Sequence, residues 1–272
     1  MVIGFAKYEG TGNDFIIIDA RVLDFEFPPE FVAALCDRHF GIGADGLMLL
    51  ELGSGKDDFD MRYFNSDGFE TTMCGNGGRC IALYAHHQGI GGREKLFGGA
   101  DGAHRAKIVK ADDLRGMVEL QLNHVGEVEQ EDDCFILDTG SPHYVKFVTG
   151  IDEVDVAGEG CEIRSDPAYG PKGINVNFVE ITGEGSFRLR TYERGVEDET
   201  QACGTGAAAA AIAVHLAKQP SCRRFSIQAQ GGPLTVSFDV GGNGLFTNVW
   251  LRGAARKVFH GKFETENFIG LL

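Results

Sequence analysis

The chain has no long apolar run, no run of Lys or Arg, and no Cys-x-x-Cys pair. Its longest uninterrupted apolar stretch, Ala207–Val214, falls far short of the roughly 20 residues that a membrane-spanning helix needs. The amino end, Met1-Val2-Ile3-Gly4-Phe5-Ala6-Lys7, lacks the basic start and apolar middle of a secretory signal, so a cytoplasmic location is expected. Lys and Arg number 25 against 40 Asp and Glu, a net charge of −15. Such a surface repels phosphate backbones and anionic lipid, which argues against nucleic acid and membranes as partners. The seven cysteines (36, 74, 80, 134, 161, 203 and 222) are odd in number and lack zinc-ribbon spacing, so free thiols are expected and no metal is called for.

Glycine is the residue in excess: 39 of 272, about twice the usual ~7%. It implies many turns and close backbone approaches. A chain of this length with 43% hydrophobic residues can bury roughly three quarters of its unfolded surface, in one large core or two smaller ones.

The chain also repeats itself at an offset near 129 residues. Thr11-Gly12-Asn13-Asp14-Phe15-Ile16-Ile17 matches Thr139-Gly140-Ser141-Pro142-His143-Tyr144-Val145, and Gly43–Leu49 lies opposite Gly173–Val179. Met61-Arg62-Tyr63-Phe64-Asn65 parallels Leu189-Arg190-Thr191-Tyr192-Glu193. The clearest pair is Glu70-Thr71-Thr72-Met73-Cys74-Gly75-Asn76-Gly77 with Glu199-Thr200-Gln201-Ala202-Cys203-Gly204-Thr205-Gly206, and His86 again answers His215. Four blocks in register are a duplication.

Each copy reads as strands leading through a polar loop into one apolar helix. The strands expected are Phe15–Asp19, Leu47–Glu51 and Asp60–Asn65, then Tyr144–Val148, Val176–Ile181 and Ser186–Tyr192; the helices are Gly75–Gln88 and Gly204–Lys218. Neither helix has an evident polar face, so each needs wrapping on all sides. The expected fold class is therefore α/β (α+β): two pseudo-symmetric domains, each a curved, mostly antiparallel sheet or barrel around a central helix, with the active cleft between them. Residues 1–115 form the first half, with 256–272 returning to it, and 116–255 form the second. A surface helix is expected over Pro29–His39, and 152–172 stays unassigned. Gly41-Ile42-Gly43-Ala44-Asp45-Gly46 fits a dinucleotide fingerprint but follows a helix instead of a strand, so it reads as a helix end and turn.

A cysteine at a helix amino end feels the macrodipole and unpaired N–H groups, which stabilise its thiolate. Cys74 and Cys203 thus become candidate bases, and the Gly-x-Gly after each leaves room for a ligand carboxylate against those N–H groups. Two thiols flanking one carbon suit removal of a proton alpha to a carboxylate on one face and its return on the other, with no electron-sink cofactor. The remaining cysteines read as small hydrophobes. Asn65, Asn175 and Glu193-Arg194, at strand ends beside the cysteine loops, read either as turn residues or as ligands, and His143 either as a strand-end hydrogen-bonding group or as part of the site.

Lys7-Tyr8-Glu9-Gly10-Thr11-Gly12-Asn13-Asp14-Phe15, Phe64-Asn65-Ser66-Asp67-Gly68, Met73–Gly77, Asn175 within Gly173–Phe178, Tyr192-Glu193-Arg194-Gly195 and Ala202–Gly206 together resemble the diaminopimelate epimerase family, over essentially the whole chain. The resemblance implies a cofactor-independent, metal-free, two-base homodimeric enzyme that interconverts LL- and meso-2,6-diaminopimelate in lysine and cell-wall precursor synthesis. It implies Cys74 and Cys203 as the acid–base pair, with Gly75, Asn76, Gly204 and Thr205 on the reacting carboxylate. It further implies Asn13, Asn65, Asn175, Glu193 and Arg194 on the rest of the substrate, and His143 with Glu193 as the pair that tunes the thiols. The chain departs from the family's commonest form at Ser141, where many members carry Asn, and at Gly46, where some carry Gln.

Two alternatives stand beside this reading. A sister two-base racemase or isomerase keeps the fold, but proline racemases lack the distal Arg and Asn set and phenazine-pathway isomerases lack the two reactive cysteines. A non-catalytic small-molecule binding protein would tolerate Cys203→Ser. Thiols that face one carbon are also open to oxidative joining, so air-oxidised protein is expected to be inactive until reduced.

Overall fold

The computed structural model describes residues 1–131 and 134–269. The chain divides into two compact units, Met1–Leu120 with the chain from Ala254 onward, and Gln121–Gly253.

The first unit opens with β1 (Val2–Gly10) and β2 (Asn13–Asp19), followed by α1 (Pro29–Cys36), β3 (Gly46–Leu52), β4 (Phe59–Asn65) and the short β5 (Glu70–Thr71). Then come α2 (Gly75–His87), β6 (Glu94–Gly99), β7 (Gly102–Ala111) and β8 (Arg115–Gln121). β2 lies parallel to β3 and β4 parallel to β6, while β1–β2, β3–β4, β6–β7 and β7–β8 are antiparallel. Every residue of α2 from Gly75 to Ala85 is buried, and the helix packs on β1, β2, β3 and β7. On the other face of β2 and β3, Ile16, Ile18, Leu47 and Leu49 meet Phe31, Val32 and Leu35 of α1. Burial on both faces explains why Phe15-Ile16-Ile17-Ile18 is a continuous apolar run instead of an alternating one.

The second unit repeats this order. β9 (Val128–Glu131), β10 (Cys134–Asp138) and β11 (Pro142–Phe147) precede α3 (Val156–Arg164), β12 (Asn175–Gly183), β13 (Ser186–Glu193) and β14 (Asp198–Thr200). α4 (Gly204–Ala217), β15 (Arg224–Ala229), β16 (Gly232–Val240) and β17 (Phe246–Glu264) follow. The parallel pairs recur as β11–β12 and β13–β15. α4 is buried from Ala207 to Val214 with no exposed surface and packs against β10, β11, β12, β13, β15 and β16. An antiparallel bridge between Val125 and Phe246, with Leu122 N–H on Val249 O at 2.8 Å, ties the start of this unit to its last strand.

From Ala254 onward β17 belongs to the first unit, where it pairs with β8 and then along β1 from Arg256–Glu9 to Glu264–Val2. The eight strands β1, β2, β3, β4, β6, β7, β8 and β17 thereby close into a barrel around α2. The expected α+β class is the one observed. α5 (Glu266–Ile269) follows; the last three residues of the expected 256–272 return lie outside the described residues.

One local expectation needs correction. The surface helix stops at Cys36, not His39, because Asp37 leaves helical geometry (ψ 128°) and its carboxylate takes the N–H groups of His39 and Phe40 at 2.7 Å. The unassigned 152–172 stretch contains α3, whose start is fixed by Asp155 accepting from Gly158 N–H at 3.0 Å. Among the described residues no helix is long and apolar enough to cross a membrane.

Candidate active site

In the first unit Cys74 is the residue that caps α2 at its amino end, in extended geometry (φ −91°, ψ 134°), and its side chain is partly exposed. Asn13, the first residue of β2, points its amide nitrogen at Cys74 Sγ from 3.9 Å. Among the described residues its buried Oδ1 has no hydrogen-bond partner. Asn76, in the first turn of α2, is buried, and its Oδ1 accepts from Arg79 Nη2 at 2.8 Å. Asn65 sits exposed at the end of β4, where its carbonyl receives Gly68 N–H and closes a turn.

Behind these residues is a fixed charge network. Lys7 is buried and pairs with Asp14 at 2.7 Å, while Arg38 bridges Asp14 and Asp45 at 2.7 and 2.6 Å. Burial alone would raise the Asp14 carboxyl, but hydrogen bonds from Arg38 and Lys7 hold it well below the usual carboxylate range. Asp14 N–H in turn donates to Asp45 Oδ2 at 3.0 Å, which anchors the strand end that carries Asn13.

In the second unit Cys203 caps α4, and its Sγ accepts Gly206 N–H at 3.4 Å. Thr205 Oγ1 stands 3.4 Å from that sulfur and 3.0 Å from His143 Nε2. His143, on β11, is fully buried, and burial, reinforced by the charge on Arg194, pushes its imidazole down to about 3. The ring is therefore neutral, and its tautomer follows from its other neighbour. Asn177 Nδ2 donates to Tyr144 O at 3.0 Å and lies 3.1 Å from His143 Nδ1. An amide nitrogen can only donate, so Nδ1 accepts and the proton sits on Nε2, facing Thr205 and Ser141. Thr205 accepts from His143 and has its own O–H left to donate toward Cys203.

Asn175 is committed within the protein. Its Nδ2 donates to Ser141 Oγ and Pro142 O, and its Oδ1 accepts Arg194 N–H at 3.0 Å. Arg194 Nη1 reaches Gly173 O at 3.4 Å. Glu193 Oε2 accepts from Thr200 Oγ1 at 3.0 Å. The hydrogen bonds of His143 run to Ser141, Thr205 and Asn177, so its link to a thiol passes through Thr205.

The second glycine of each Gly-x-Gly is tightly packed. A Cβ on Gly77 would meet Met48 Cε at 2.5 Å, and one on Gly206 would meet Asn177 Oδ1 at 2.4 Å. The second glycine of each Gly-x-Gly therefore serves close packing behind the helix end. Three residues here escaped the sequence reading: Arg79, Asn177 and Thr191, whose hydroxyl donates to Asn177 Oδ1 at 3.1 Å. A buried Arg inside an otherwise apolar helix was the visible signal for the first; Asn177 and Thr191 look like ordinary strand residues. Among the described residues no group of three or more His, Cys, Asp or Glu is placed to hold a metal.

The family model for diaminopimelate epimerase matches residues 5–129 and 135–258. A diaminopimelate epimerase of Flavobacterium psychrophilum is 47% identical over 93% of this chain and 97% of its own length, and one of Chlorobaculum tepidum is 41% identical over 93% and 98%. Among solved structures, a phenazine biosynthesis protein of the PhzF family from Bacillus anthracis aligns with a TM-score of 0.76 at 15% identity, covering 97% of this chain and 99% of that one. A hydroxyproline epimerase from Agrobacterium vitis aligns with a TM-score of 0.70 at 13% identity, covering 96% and 92%. At these identities the structural likeness concerns the fold.

Proposed function

Because the chain belongs to the diaminopimelate epimerase family and is an isomerase, we propose that Cys74 and Cys203 are the acid and base with which it interconverts LL- and meso-2,6-diaminopimelate, in lysine biosynthesis. The observation that carries this reading is the repeated placement of a Cys at the amino end of a buried helix, once in each unit. One thiolate takes the proton from the α carbon. The electron pair moves into the carboxylate as an enediolate, and the other thiol returns a proton to the opposite face. Helix-end N–H groups at Gly75 and Asn76 and at Gly204 and Thr205 hold the reacting carboxylate and stabilise the charge that develops there. No cofactor takes part.

Recognition of the distal amino-acid head falls to Arg194, whose planar guanidinium suits a carboxylate, with Asn13, Asn65 and Glu193 offering amide and carboxylate groups to the remainder. Asn175 serves through Arg194, whose backbone it holds. His143 tunes Cys203 by way of Thr205, and Glu193 belongs to the same tuning set. A cytoplasmic homodimer is the setting we propose for this chemistry.

Reduced protein incubated in parallel with LL-diaminopimelate and with L-proline separates the readings. Formation of the meso isomer, with proline untouched, supports the proposal. Racemised proline points to a sister isomerase, and no turnover of either points to a binding protein; both results overturn it.

A further inference from the structure

Arg79 lies one helical turn into α2, five residues after Cys74, and has no solvent exposure. Its guanidinium donates to Gly75 O at 3.0 Å, Thr11 Oγ1 at 2.7 Å and Asn76 Oδ1 at 2.8 Å. All three acceptors are neutral, and the buried Nε has no partner among the described residues. Among the described residues no carboxylate stands within ion-pair distance of it. An arginine stays protonated in a protein, so a full positive charge sits buried at the amino end of α2 without a counter-ion. Such a charge is costly unless a negative group comes to share the site.

The neighbouring acids are already paired. Glu9 on β1 meets Arg256, Asp14 on β2 meets Lys7 and Arg38, and Asp101, which accepts Met73 N–H, meets His104. Cys80 beside it is buried, and burial pushes its thiol up, so it stays neutral. The Arg79 charge is felt by Cys80, Cys74 and Glu9, and of these Cys74 is the thiol at the end of the helix. The guanidinium also holds two flanking elements. Thr11 occupies left-handed backbone space at φ 57° with its hydroxyl on Arg79, and two residues on is Asn13, aimed at Cys74 Sγ. Asn76, with its Oδ1 tied to Arg79, has its amide N–H groups directed away from the guanidinium. Gly10 lets β1 lie close against this end of α2, since a Cβ there would lie 3.0 Å from Cys80 Sγ and 3.1 Å from Asn76 O.

In the second unit Cys203 Sγ accepts Gly206 N–H, and the Arg194 charge is felt by His143, two steps from that sulfur, not by a guanidinium bonded into the cysteine's own helix end. The residue five after Cys203 is Ala208, and the group that serves Cys203 is the neutral His143–Thr205 pair. We propose that Arg79 is a positioning residue that fixes Asn76 and the Thr11–Asn13 turn and supplies Cys74 with a buried positive charge, so that Cys74 ionises before Cys203 in the free enzyme. The proposal deepens the two-thiol reading, but its test needs no turnover.

Reduced full-length protein is pulsed with iodoacetamide across a pH series, and alkylation of the Cys74 and Cys203 peptides is followed separately by mass spectrometry. In the unsubstituted protein Cys74 is expected to titrate about one pH unit or more below Cys203, about a tenfold difference in thiolate population below both. Arg79→Met, of similar length and uncharged, is expected to remove that lead while leaving the Cys203 profile in place, and Arg79→Lys to restore most of it. Cys74 titrating level with or above Cys203 in the unsubstituted protein overturns the proposal, whether or not the variants fold. So does a folded R79M protein with an unchanged Cys74 profile.

Discussion

His143 Nε2 and Thr205 Oγ1 lie 3.0 Å apart, and the direction of that hydrogen bond is set from behind by Asn177, whose amide nitrogen occupies the far side of the ring. With its proton on Nε2 the neutral histidine donates toward Thr205 Oγ1 and Ser141 Oγ, each 3.0 Å away, and leaves the Thr205 hydroxyl able to donate to the Cys203 sulfur 3.4 Å from it.

Thr205→Val keeps the shape and deletes the hydroxyl. A hydrogen bond to a charged group is worth about 1.5–3 kcal/mol, so kcat is expected to fall about 10- to 100-fold, with Thr205→Ser retaining most activity. Steady-state kinetics on the three proteins check this. Equal kcat in the valine variant would remove the relay from the account.

The depressed imidazole of His143 sets a stability window. Unfolded, the ring takes up a proton below about 6.5; folded, it resists until about 3. Between those values the unfolded state binds the extra proton, so stability is lost as pH falls through the window and is intact above it. The contribution approaches about 1.4 kcal/mol per pH unit. Chemical denaturation from pH 4 to 7 is expected to show a shallower slope in His143→Gln than in the unsubstituted protein; identical slopes would mean that the ring is charged or exposed.

Substituting the two equivalent glycines is expected to have unequal effects. In Gly77→Ala the new methyl meets the far end of Met48, which can swing away, whereas in Gly206→Ala it meets Asn177 Oδ1, which Thr191 holds. G206A should cost about 1–3 kcal/mol as an overpacked site, and G77A less. Thermal melts of both variants decide it, and the reverse order would contradict the packing argument.

The sequence made the fold class legible because the duplication repeats both pattern and spacing. The apolar runs at Phe15–Ile18 and Ala207–Val214 named the strands and helices that bury most. Cys74 and Cys203 stood out for the same reason. What pattern could not reveal were the groups that act through a neighbour. Asn177 is one polar residue in the strand Val176–Val179, and only the parallel pairing of β11 with β12 sets it beside His143. Arg79 is visible as the one Arg in an otherwise apolar helix, but with no polar face expected on that helix the pattern does not say which groups its guanidinium meets. The end of α1 was missed because it depends on one side chain, Asp37, taking backbone N–H groups.

The most direct test of the central claim uses solvent deuterium. Reduced protein is incubated with LL-diaminopimelate in deuterated water and the α-proton signal is followed by NMR, beside Cys74→Ala and Cys203→Ala. Deuterium is expected to enter the α position as the meso isomer forms, and epimerisation to be lost in each variant. Epimerisation that survives removal of either cysteine would contradict that claim.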